Sequence, residues 1–206
     1  MNSIIAERGI VSLFHFTQAD NLKNILRYGL MPRGDIEITG IASEFNDKYR
    51  YDDCLDAVCI SISFPNYKMF YKLRCASPDK DWVVIRLDPQ VLCDFNCAYC
   101  WTNAGDALSY NVPIEERMGK NAFLRLFEDK PGFPKRTQLN IADKFPTNPQ
   151  AEVLVFDIIP IEYIKGIFFE NNKAFNTYNN IIPECITTRV LPQVFSYRKD
   201  WEFWRV

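Results

Sequence analysis

The sequence predicts an α+β fold: a central, mainly antiparallel sheet flanked by short helices, in one domain spanning residues 1–206. Three observations lead there. The chain has 206 residues, 48 % of them apolar and 24 % charged, which suits a soluble fold with one substantial core. Apolar runs of strand length recur along it, separated by short amphipathic stretches rather than by a regular alternation of strand and long helix. There is no internal repeat and no low-complexity tract.

The first strand falls at residues 13–16, Leu-Phe-His-Phe. A helix follows, with Thr17 as its cap and Asp20 completing a capping box; Leu22, Ile25 and Leu26 form its apolar face. Gly29 stands where a helix C-terminus calls for a left-handed residue. Residues 56–62 read as a second strand, and Pro65 opens an aromatic-rich helical turn. Residues 82–87 are a third strand, whose near-continuous apolar run indicates burial on both faces. Residues 121–127 suit a short helix, and 131–149, rich in Pro and Asn, a long loop of the kind that is often functional. Strands are expected at 152–157 and 164–169, with strand-like pieces at 193–197 and 201–205.

Composition excludes several chemistries. The 24 Lys plus Arg against 26 Asp plus Glu give a net charge of −2, so there is no overall basic character pointing to nucleic acid. The balance hides local asymmetry: residues 117–136 hold six bases and two acids, residues 44–56 five acids and two bases. His15 is the single histidine, which rules out a multi-histidine metal site, and no G-x-S-x-G turn supports a serine hydrolase. Acid–base work falls to carboxylates. The N-terminal residues do not read as a signal peptide, no run approaches the about 18 apolar residues of a membrane span, and the seven cysteines read as reduced thiols. The expected location is the cytoplasm, with no membrane partner.

Cys93, Cys97 and Cys100 have the C-x3-C-x2-C spacing of a radical SAM cluster loop, and with Cys185 they would make a zinc set. Only 106 residues follow Cys100, too few for the barrel that accompanies such a loop, and no glycine-rich SAM site is present. The favoured reading is structural thiols and no metal.

His15 and Thr17 leave their strand on the same side, beside the positive end of the following helix, where a nucleotide amide or phosphate would be welcome. A core histidine satisfied by a backbone carbonyl fits that segment equally well. Glu152 opens an apolar strand after the long loop; by itself it reads either as a solvated strand-end charge or as a catalytic carboxylate. In residues 117–136 the bases Arg117, Lys120, Arg125, Lys130, Lys135 and Arg136 are interleaved with Phe123, Phe127 and Phe133. That mix suits single-stranded phosphates and stacked bases, or simply an amphipathic helix with a solvated basic face.

Four segments in order resemble the DarT family of NAD-dependent nucleic-acid ADP-ribosyltransferases. The first is His15-Phe16-Thr17 with Asp20-Asn21-Leu22, Ile25-Leu26 and Gly29-Leu30. The second is Phe64 to Tyr71, an aromatic and methionine segment. The third is Trp101 to Ala107, a turn whose small residues are reordered, and the fourth is Pro149 to Val155, resembling the catalytic-glutamate strand. The resemblance covers about residues 12–169 and implies the rest. The fold would be ADP-ribosyltransferase-like. NAD would be a co-substrate, with no metal. The enzyme would move ADP-ribose to a base in single-stranded DNA, with RNA as the alternative acceptor and a silent NAD or nucleic-acid binding module as the remaining one. It further implies a toxin of a toxin–antitoxin or phage-defence system, restrained by a macrodomain-type antitoxin. Glu152 would be the catalytic carboxylate, and Arg50, with Lys48 as its competitor, the catalytic basic residue. His15, Thr17, Asn21, Tyr67 and Tyr71 would bind NAD; Trp101 and Asn103, with Arg117, Lys120, Arg125, Lys135 and Arg136, would bind the nucleic acid.

Overall fold

A computed structural model describes residues 1–41, 43–44 and 54–205; Lys48 and Arg50 lie outside the described residues. Among the described residues, seven strands make one open sheet: β1 (Leu13–Gln18), β2 (Val58–Ile62), β3 (Trp82–Leu87), β4 (Cys97–Cys100), β5 (Glu152–Val155), β6 (Ile164–Phe169) and β7 (Thr187–Val190). Their order is β4-β5-β2-β1-β3-β6-β7. Every pairing is antiparallel except β6 with β7, so the expected α+β sheet is present with one parallel edge.

Side chains alternate across the pleat. Val83, Ile85 and Leu87 face a large core shared with Leu13, Ile60, Val153 and Phe169, and Trp82 and Val84 face a second core with Phe14, Phe70 and Phe168. This two-sided burial is why β3 reads as an unbroken apolar run. The Leu22–Tyr28 helix covers the first face and the Tyr67–Ala76 helix the second.

The sheet is not uniformly paired at its centre. β1 and β3 are in register over six residue pairs, whereas β1 and β2 share only Leu13 with Ile62 and Phe14 with Ser61. Beyond Phe14 the two strands part, and the slot between them is where the candidate site lies.

Several elements differ from expectation. β1 runs on through Gln18, so Thr17 lies in the strand and caps nothing; a 3-10 turn, Ala19–Asn21, leads into the Leu22–Tyr28 helix, and no side-chain cap bond forms there. Residues 97–100 and 187–190 are strands that the local pattern did not announce. Cys97-Ala-Tyr-Cys100 is too short for a periodic signal, and it is ordered by pairing along β5. The two C-terminal pieces are 3-10 turns, Pro192–Phe195 and Trp201–Trp204. Their aromatic content favours strand, but anchoring overrides it. Val194 and Phe195 plug the second core, and Asp200 Oδ2 accepts from Trp204 Nε1 at 2.9 Å, a four-residue reach that an extended chain cannot make. The 131–149 loop contains one short helix, Arg136–Leu139.

Gly29 does end its helix with a positive φ of 84°, but with ψ of −176° rather than a left-handed ψ. The reason is a tight crossing: Leu30 bridges Ile159, and a Cβ on Gly29 would sit 2.5 Å from the Ile159 carbonyl oxygen.

Candidate active site

The slot between β1 and β2 opens into a pocket whose wall includes His15, Thr17, Asn21, Met69, Asn103 and Glu152. Register explains how both faces of the sheet contribute. Phe14 pairs with Ser61, and Cys59 with Leu154, so Phe14, Cys59, Ser61, Leu154 and Glu152 share one face. His15 and Thr17 alternate to the other. A continuous sheet would keep these sets apart; the parted strands let them line one cavity.

Glu152 is 5 % exposed and firmly oriented. Its Oε1 accepts from Asn66 Nδ2 and Asn103 Nδ2, both at 3.2 Å, and its Oε2 accepts from the Ala104 backbone N–H at 2.8 Å. All three are donors, the complement of a carboxylate that has only acceptors to offer. Each donor is itself fixed. Asn66 is fully buried and caps the Tyr67–Ala76 helix by accepting from Met69 N, while its own N–H donates to Ser61 Oγ. Asn103 Oδ1 accepts from Gly105 N.

The chain leading into Glu152 is pinned from the C-terminus. The buried Arg198 guanidinium donates to the carbonyls of Pro146 at 2.8 Å and Thr147 at 2.9 Å, and pairs with Asp200 at 2.6 Å. A buried charge so placed is satisfied on every side that the loop and Asp200 reach.

Also on the pocket wall, the half-buried His15 ring meets the Cys59 carbonyl through Nδ1 at 2.8 Å. A carbonyl only accepts, so Nδ1 carries the proton, and the lone pair of the neutral ring is on Nε2. Asn21 has a different task. Its Nδ2 donates to Thr17 Oγ1 and to the Glu44 carbonyl, and its Oδ1 accepts from Ser43 Oγ and Glu44 N. The side chain thus ties the 43–44 segment to the wall of the pocket.

The structure brings Glu152, His15, Thr17, Asn21 and Asn103 to one cavity and leaves other candidates elsewhere. Tyr67 is buried with its ring edge-on to Tyr197, and Tyr71 is exposed beside the same ring; neither lines the pocket, whereas Met69 of that helix does. Trp101 is a core residue: 4 % exposed, packed on Phe133, with Nε1 donating to the Glu128 carbonyl. Arg117 is buried, and its Nη1 contacts Cys100 Sγ at 3.4 Å. Arg136 braces the loop by donating to the carbonyl of Phe145 and to Thr147 Oγ1. Lys120, Arg125 and Lys135 are exposed.

Asn66 and Met69 were missed as site residues. Asn66 carries a visible helix-cap signal, Asn ahead of an aromatic helical turn, but its bond to a glutamate 86 residues away has no local signature.

The cysteine motif does not converge. Cys97 and Cys100 stand three apart in β4, so they face opposite sides of the sheet and join different cores. Burial pushes the Cys97 thiol up to about 12 and the Cys100 thiol up to about 11, the reverse of what a thiolate ligand needs. Among the described residues no group of three or more His, Cys, Asp or Glu is placed to hold a metal ion.

The family model described as ssDNA thymidine ADP-ribosyltransferase, DarT, matches residues 14–203. No curated protein matches. Among solved structures, Thermosipho africanus DarTG in complex with ADP-ribose superposes with a TM-score of 0.63 at 14 % identity, over 90 % of this chain and 51 % of that one. The chain therefore spans about half of that relative's length. Thermus sp. 2.9 DarT in complex with carba-NAD+ gives 0.61 at 13 % identity, over 90 % of this chain and 98 % of that one. The same protein with NAD+ gives 0.54 at 13 % identity and the same coverage. At such identities the structures establish the shared fold.

Proposed function

The chain belongs to the DarT family of ssDNA thymidine ADP-ribosyltransferases, and from that premise we propose that it transfers ADP-ribose from NAD to a thymine base in single-stranded DNA. The observation that carries this reading is Glu152, a buried carboxylate oriented by Asn66, Asn103 and the Ala104 N–H on the wall of a pocket that His15 also lines. The neighbours that hold ADP-ribose, carba-NAD+ and NAD+ support NAD as the co-substrate.

The chemistry follows from charge. The bond between nicotinamide and ribose breaks with its electron pair leaving on the nicotinamide nitrogen, and positive charge builds on the sugar. A preorganised carboxylate stabilises that charge and excludes the reorganisation that water would need. A base nitrogen then forms the new bond to the ribose carbon and loses its proton, for which Glu152 is the acceptor. His15 and Thr17 hold the dinucleotide, with His15 kept in one tautomer by Cys59. Asn21 acts by fixing the 43–44 segment rather than by contact with the reacting atoms. Arg50 is the proposed cationic partner of the dinucleotide or the acceptor.

DarTG as the name of one relative supports a toxin role, with a macrodomain-type ADP-ribose hydrolase as the antitoxin partner. No described helix is long and apolar enough to cross a membrane, and a cytoplasmic location fits an acceptor found there.

Labelled NAD incubated with matched DNA and RNA oligonucleotides, followed by mass spectrometry of the products, tests the reading. The expected product is singly ADP-ribosylated thymine in the DNA strand. Label on RNA alone, or on protein alone, would contradict it.

A further inference from the structure

The C-terminal turn builds an exposed aromatic row. Tyr71 and Tyr197 have ring centroids 6.0 Å apart, and Tyr197 stacks on Trp201 at 5.1 Å with an interplanar angle of 24°. The Arg205 guanidinium lies 3.9 Å from the Trp201 centroid. Tyr71 is 49 % exposed and Tyr197 45 %, so both rings reach solvent. Trp201, half-buried between Tyr197 and Arg205, holds the two in place.

The surroundings are cationic. Lys72, Lys199 and Arg205 are exposed around the row, while Asp200 is buried against Arg198 and Glu202 faces Arg205 at 3.7 Å. One helix carries both a ring of the row and a residue of the candidate active site. The Tyr67–Ala76 helix begins at Asn66, which bonds Glu152; it supplies Met69 to the pocket and Tyr71 to the row.

An exposed ring at the end of a stacked row, flanked by positive charge, matches an unpaired nucleic-acid strand, whose bases have free π-faces and whose phosphates are negative. A duplex offers no such faces, because its bases are already stacked. We propose that Tyr71, backed by Tyr197, Trp201 and Arg205, forms a subsite for single-stranded DNA on which a base outside the reacting position stacks. This rests on the reading of the Glu152 pocket as an ADP-ribosyl transfer site and adds where the rest of the strand lies.

Strand length is the discriminating variable. Affinities of the full chain for labelled thymine-containing strands of about 12 and about three nucleotides are measured by fluorescence anisotropy. The wild type is compared with Tyr71→Ala/Tyr197→Ala and with Tyr71→Phe/Tyr197→Phe, and transfer from NAD is followed in parallel. The Ala variant loses about tenfold or more on the long strand, the order expected for a lost stacking ring. The short strand is unaffected, and the Phe variant behaves as wild type. An unchanged long-strand affinity, or an equal loss on both lengths, overturns the subsite. If the wild type binds the long strand with this length dependence yet transfers nothing to it, the subsite stands and the transfer reading falls. Transfer that proceeds without length dependence has the opposite meaning.

Discussion

Two segments, 117–136 and 197–205, are rich in aromatic and basic side chains, and the fold uses them in opposite ways. In the first, Phe123 and Phe127 point inward and are 0 % and 5 % exposed. Arg117 is buried against Cys100, and Arg136 is spent on loop carbonyls. In the second, Tyr197 and Arg205 point outward. The first therefore acts as core with a solvated rim, whereas the second presents rings to solvent from a turn anchored by the buried Arg198, Asp200 and Trp204. Composition cannot distinguish them, but spacing partly can. Ala122, Phe123, Leu126 and Phe127 fall at the three- and four-residue intervals of a buried helical stripe, whereas the C-terminal rings are placed by a 3-10 turn and a side-chain bond that no periodicity encodes.

The comparison is broken most forcefully by truncating rings. Phe123→Ala should lower stability by about 3–5 kcal/mol, as deletion of a buried Phe does, seen as a shifted urea midpoint. A shift like that of Tyr197→Ala, which removes a half-exposed ring, would place Phe123 at the surface. Arg198→Ala belongs to the same scale. It leaves Asp200 buried and unpaired and frees the Pro146 and Thr147 carbonyls, at a cost of about 3–5 kcal/mol. Because that loop leads into Glu152, activity should fall below the melting transition as well.

Gly29→Ala comes next, at about 2 kcal/mol, since the backbone has a positive φ and a Cβ would meet the Ile159 carbonyl.

Ionisation of the buried face gives a gentler effect. Burial raises the Cys97 and Cys100 thiols to about 12 and about 11, and Tyr67 to about 12. The folded state holds these protons where the unfolded chain releases them. Stability is therefore fully present below about pH 9 and falls as pH rises through the folded values, which urea midpoints across that range will report. At about pH 8, thiol reagents should modify the exposed Cys75 and Cys185 far faster than Cys97 and Cys100. The smallest change is expected for Lys120→Gln or Arg125→Gln, within about 0.5 kcal/mol.

How much of this was legible beforehand differs from element to element. The buried strand at 82–87 and the short, mainly antiparallel sheet follow from apolar runs alone. The pocket does not, because it depends on two registered pairs between β1 and β2 against six between β1 and β3, and register is a long-range property. Glu152 and His15 stand out in the sequence through a family pattern, and both line the pocket. Asn66 was not singled out, since its helix-cap role is local but its bond to Glu152 is not. Thr17 has the side-chain chemistry of a cap, but the strand continues past it, and Asn21 uses its hydroxyl instead.

The decisive measurement concerns Glu152. Glu152→Gln keeps the side-chain volume and removes the charge, and two quantities are read from it: NAD affinity by calorimetry, and ADP-ribosylation of a single-stranded thymine-containing oligonucleotide by mass spectrometry. NAD binding should stay within a few-fold of wild type while transfer falls by at least about 10²-fold, the range for loss of a positioned acid–base group. Transfer at the wild-type rate, or loss of NAD binding with transfer retained, would contradict the assignment of Glu152 as the group that acts on the ribose.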